Sequence, residues 1–113
     1  MEDYLEKSLE EWKEDISEVL NQINEEFENI KLDLKLYSYK YGITKQVIQS
    51  TVNEEIIENI RERYHKPFEE KYNELKEKAK ELEEKRKVFQ MFVNKIDEVK
   101  RKETPRTDFA AYK

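Results

Sequence analysis

The chain has 113 residues, 43% of them charged, and a formal net charge of −5. One glycine, one histidine and no cysteine remove disulfides, thiolate chemistry and the glycine-rich turns that cradle phosphates. Its 36% hydrophobic content, against about 45–50% in globular domains when glycine is counted as well, allows narrow apolar stripes between helices rather than a thick core.

The opening Met1-Glu2-Asp3-Tyr4-Leu5-Glu6 is acidic where a secretory or transit peptide is basic. No apolar run approaches the roughly 18 residues of a membrane span. A cytoplasmic protein without membrane contact is expected. Charge is segregated along the chain. Residues 1–29 hold 11 acids and 2 bases, residues 30–50 hold 4 lysines and 1 acid, and residues 84–113 hold 9 bases and 5 acids. That segregation favours antiparallel pairing of the acidic first helix with the basic last one, within a chain or between chains.

The first predicted element is a helix over about residues 3–40. Leu5, Leu9, Trp12, Ile16, Val19, Ile23, Phe27, Ile30, Leu34, Tyr37 and Tyr41 recur in steps of 4 and 3, with one 4-4 stutter between Val19 and Phe27. Leu20, Leu32, Leu36 and Tyr39 widen the stripe, so part of this helix is expected to touch two neighbours. Gly42 follows the last stripe residue, the place of a left-handed C-terminal cap.

Thr44 then caps a second predicted helix, about 44–65, through Val47, Ile48 and Val52. Thr51 with Glu54 offers a capping box, and Asn53-Glu54-Glu55 resembles a helix start. One helix with an irregularity near 51–53 is expected, a short helix and a restart being the alternative. Pro67 predicts a break or sharp bend, because proline suits a first helical turn and pushes Lys66 away from helical angles. A kinked continuous helix is the opposing reading.

The last predicted helix, about 67–102, carries Phe68, Tyr72, Leu75, Ala79, Leu82, Phe89, Val93 and Ile96, with Arg86 in one seam position. Residues 104–113 read as an extended C-terminal tail. These elements define an all-α fold of long antiparallel coiled-coil-like helices, either a three-helix bundle or a bent helical hairpin, in one domain over residues 1–103. Apolar surface left over predicts a homo-oligomer, with a dimer favoured. Phe89, Phe92 and Val93, together with Phe109 and Tyr112 of the tail, are the candidate protein-interface residues.

Residues 37–52 resemble a helix-turn-helix core, with Ser38 four before Gly42 and Ile48 where a second helix would pack. Lys45, Gln46, Gln49 and Ser50 would then contact DNA, lysine at phosphate or guanine and glutamine at adenine edges. A plain glycine-turned corner accounts for the same residues. Glu62 and His65 have the i, i+3 spacing of bundle metal sites, but a single histidine beside Arg61, Arg63 and Lys66 makes a solvated helix-end histidine the better account. No metal, no cofactor and no catalytic residue is predicted. The basic runs Lys85-Arg86-Lys87 and Lys100-Arg101-Lys102 are dipole-complementing helix residues or phosphate contacts.

These features lead to a non-enzymatic helical protein–protein interaction module, an adaptor, inhibitor or assembly factor. A small DNA-binding regulator and a structural component of a larger assembly are the alternatives. The Lys/Glu/Ile/Asn-rich composition is that of AT-rich bacterial genomes, their phages and mobile elements.

Overall fold

The computed structural model describes residues 2–103. Among them the protein is all-α, a helical hairpin built from two long helices and a short one. Helix α1 is Asp3–Gln49, α2 is Glu54–Ile60, a π-helical turn follows at Arg61–His65, and α3 is Lys66–Glu103. The chain divides into two compact units, which α1 and α3 both enter. One holds α1 up to Glu25 and α3 from Glu84; the other is Glu26–Glu83.

In the first unit Ile16 and Ile23 of α1 and Ile96 of α3 are buried. Burial of such side chains contributes about 1.5–3 kcal/mol each. Glu10 meets Lys100, and Lys13 Nζ lies 2.8 Å from Asp97, so numbers rise along α1 as they fall along α3. The Trp12 and Phe92 rings sit 6.0 Å apart beside these pairs.

In the second unit the inward face of α1 is aromatic. Tyr37 meets Phe68 edge-on at 6.0 Å, and Tyr41 stacks on His65 at 4.6 Å. Leu75 of α3 and Thr44 of α1 are buried here. The direction is again antiparallel.

Three boundaries differ from the sequence reading. First, α1 does not end near residue 40. It runs through Gly42, which has no positive φ and is no cap, and through Thr44, which is no N-cap. A single helical glycine costs only about 1 kcal/mol, and the residues around it pack on both sides, so the helix continues.

Second, the irregularity expected near 51–53 is a full interruption at residues 50–53, so the alternative of a restarted helix holds and not one helix over 44–65. The backbone N–H of Ser50 is shared between the carbonyls of Gln46 (3.1 Å) and Val47 (3.2 Å), and that of Thr51 reaches Ile48 at 3.2 Å, tightening the last turn. The Thr51 hydroxyl turns back to the Val47 carbonyl at 2.6 Å instead of capping forward. Asn53 leaves the helical region at φ −75°, ψ 116° and caps α2, its side chain accepting from the Ile56 N–H at 3.0 Å.

Third, Pro67 does not break the helix. The π turn widens the backbone just before it, with the Lys66 N–H bonded to the Arg61 carbonyl five residues back. Proline has no N–H to place in the regular ladder, and its ring presses the carbonyl four residues earlier, so a wider turn accommodates both. The predicted tail, with Phe109 and Tyr112, lies outside the described residues.

Candidate protein-interaction faces

The second unit carries two apolar faces on one helix. Tyr37, Tyr41, Thr44 and Ile48 point toward the hairpin partner and are buried or half-buried. Leu32, Leu36, Tyr39, Ile43 and Val47 follow one another in steps of 4, 3, 4 and 4, and they are 68, 46, 59, 59 and 45% exposed. At 100° per residue these five fall within an arc of about 80°, centred about 130° from the inward face. The stripe runs about 22 Å along the axis at 1.5 Å per residue.

The inward face explains why the stripe stays free. The Thr44 hydroxyl lies 2.9 Å from the Tyr41 carbonyl and 2.7 Å from His65 Nδ1. Tyr64 joins Phe68 at 6.3 Å, and Lys40 Nζ lies 4.7 Å above the Tyr37 ring and 5.3 Å above Phe68. These contacts tie one side of α1 to the π turn and the start of α3. The opposite side has the spacing of a helix-packing seam and faces solvent.

The first unit has its own apolar patch. Val88, Met91, Phe92 and Lys95 line a shallow cavity of about 200 Å³ along one face of α3. Val88, Met91 and Phe92 are 44, 57 and 39% exposed, with Trp12 at 47% against Phe92. Of the residues expected here, Phe92 belongs to the patch, whereas Phe89 and Val93 are half-buried. Val88, Met91 and Trp12 join it instead. Apolar identity alone does not separate the two sides of α3 where five apolar residues lie within six positions.

Charge geometry in this unit is ordinary for a solvated helix pair. Lys100 beside Glu10 holds that carboxyl below the usual carboxylate range, first through its hydrogen bond. The hydrogen bond from Lys13 likewise lowers Asp97, and Asp97 raises Lys13.

The candidate DNA-contacting residues Lys45, Gln46, Gln49 and Ser50 are all exposed. The first three lie on the last turns of α1, and Ser50 is the turn residue after it. The turn that a helix-turn-helix needs before them is absent, because α1 is continuous through Gly42. Glu62 and His65 are engaged elsewhere, with Lys66 4.0 Å from Glu62 and with Thr44 at His65. Among the described residues no group of three or more His, Cys, Asp or Glu is placed to hold a metal ion, and no helix is long and apolar enough to cross a membrane.

The exposed α1 stripe was legible only in part. Leu32, Leu36 and Tyr39 stand out as widening the apolar face, and two further steps of 4 extend the series through Ile43 and Val47. The predicted helix end at residue 40 cut that series short.

Comparison with known proteins finds no matching family model, and no curated protein or solved structure with significant similarity to this chain. Among the described residues the chain is an all-α helical hairpin with solvent-facing apolar stripes.

Proposed function

We propose that this chain is a non-enzymatic helical protein–protein interaction module, acting as an adaptor, inhibitor or assembly factor. The observation that carries the reading is the exposed Leu32–Leu36–Tyr39–Ile43–Val47 stripe, set opposite the face that α1 spends on its own hairpin. Aligned apolar side chains at helix-packing spacing mark a surface that gains by contact with another helix. The composition fits a phage or mobile-element accessory protein working in the cytoplasm. The Val88–Met91–Phe92 patch with Trp12 supplies a separate surface for self-association, for which a dimer is the simplest closed form.

Site-specific photocrosslinking tests the reading. A photoreactive residue at Tyr39 or at Ile43 is expected to capture a protein in the producing cells, whereas one at exposed Lys80 of α3 is not. Equal yields at all three positions, or none at the stripe, would remove the stripe as an interaction face.

The DNA-binding alternative retains one favourable observation, the exposed Lys45–Gln49 surface in a lysine-bearing segment. It requires salt-sensitive duplex binding that disappears in the Lys45→Glu, Gln49→Glu double variant. A structural role in a larger assembly requires oligomers that grow with concentration.

A further inference from the structure

We infer that the occupant of the α1 stripe is an amphipathic helix of another protein that carries acidic residues beside its apolar seam. The inference rests on the interaction-module reading and names the chemistry of its partner. The chain holds 27 Asp and Glu, yet residues 34–53 contain none. Most of the stripe, from Leu36 to Val47, lies inside that acid-free stretch.

The charges that remain there are Lys35, Lys40 and Lys45. At 100° per residue, Lys35 and Lys40 flank the stripe about 60–80° from its centre, one on each side, while Lys45 lies round the back. The Lys40 ammonium reaches back over the Tyr37 and Phe68 rings of the inward face, whereas Lys35 is exposed. Flanking positions of a two-helix seam face the flanks of the partner, where opposite charge sets the choice of partner and orientation.

Other occupants fit less well. A second copy laid stripe on stripe would bring two acid-free, lysine-bearing segments together, and like charges across a seam oppose pairing. A nucleic acid would meet the lysines but leave Leu36, Tyr39, Ile43 and Val47 without apolar partners. An acidic amphipathic helix satisfies both the seam and its flanks.

The test uses the full chain and two labelled synthetic peptides of about three heptads, each with leucine at both seam positions. One has glutamate at the flanking positions and the other lysine. Fluorescence anisotropy at about 50 mM salt is expected to show the glutamate peptide binding about tenfold tighter than the lysine peptide, with the ratio shrinking at about 200 mM. Ile43→Glu should abolish binding. Lys35→Glu with Lys40→Glu should turn the preference toward the lysine peptide, circular dichroism confirming that the variants remain helical.

Equal affinity for the two peptides, or an unchanged preference in the double lysine variant, overturns the inference. So does a sedimenting dimer that Ile43→Glu splits, which assigns the face to a second copy. Binding to phosphatidylserine vesicles without peptide binding assigns it to a lipid surface and also overturns it. Crosslinks from Tyr39 or Ile43 to a protein, with no preference for the acidic peptide, would sink this inference alone. Absence of stripe crosslinks would instead sink the interaction reading beneath it.

Discussion

The Thr44 hydroxyl oxygen lies 2.7 Å from Nδ1 of His65 and 2.9 Å from the backbone carbonyl of Tyr41. A hydroxyl has one proton to give. Where the hydroxyl gives it to the Tyr41 carbonyl, which can only accept, the His65 tautomer that completes the pair is the one with its hydrogen on Nδ1, donating to Thr44. One buried threonine on α1 thereby ties the π turn to the helix opposite. Thr44→Val keeps the shape but leaves the Nδ1–H without its acceptor. It is expected to cost about 1–2 kcal/mol in denaturant unfolding, whereas Thr44→Ser retains most of that. Nitrogen NMR of the imidazole should find the hydrogen on Nδ1.

Gly42 sits inside α1 with a helical backbone, and beyond its chain neighbours and its own turns of helix backbone no atom lies within 4 Å of where a Cβ would stand. Gly42→Ala therefore removes backbone freedom from the unfolded chain without a clash. Stability is expected to rise by about 0.5–1 kcal/mol, read as a higher Tm. A glycine in a left-handed cap would respond with the opposite sign, so this one substitution tests the continuity of the helix.

The two isoleucines Ile23 and Ile43 should separate sharply under the same substitution. Ile23 is 3% exposed and Ile43 59% exposed. Ile23→Ala leaves a cavity and is expected to cost about 2–4 kcal/mol, with Ile23→Val at about 1 kcal/mol if the larger truncation prevents folding. Ile43→Ala should stay within about 0.5 kcal/mol, because the side chain buries little. Urea titration of the three variants measures the contrast.

Acid should weaken the first unit through its two ion pairs. Lys100 lowers the Glu10 carboxyl and Lys13 lowers that of Asp97. A group with a lowered folded pKa stabilises above its unfolded pKa, and that contribution fades as pH falls through the folded value. Lys13 is raised, so its share is complete below the unfolded lysine pKa and fades only as pH climbs through the raised value. Melting curves from neutral to acid pH should therefore fall less for Glu10→Gln with Asp97→Asn than for the unaltered chain. Both pairs are solvent-facing, so added salt should shrink the difference.

How far these features are readable in the chain depends on their range. The start of α1 and its inward stripe follow from 4-3 spacing, which Ile16 and Ile23 repeat as buried residues. Asn53-Glu54-Glu55 is a helix start in sequence and in structure, because an N-cap acts within three residues. Gly42 as a helix end and Pro67 as a helix break point the wrong way for a similar reason. Each has a local preference worth a few kcal/mol at most, and each lies where packing on both sides holds the backbone helical. The π turn at Arg61–His65 leaves no mark in composition, since it is the neighbouring proline and the contact with Thr44 that favour the wider winding.

The sequence by itself determined that the protein is helical, that its cores are thin and that its apolar residues lie in stripes. Periodicity, scarce glycine and abundant charge are properties of each segment alone. Only the tertiary structure decided which stripe each helix spends on its own chain. Tyr37 and Leu36 are neighbours in sequence with similar apolar character. Antiparallel packing against Phe68 and His65 covers the face of Tyr37, and a helix that buries one face must turn the other outward, which leaves Leu36, Tyr39, Ile43 and Val47 facing solvent.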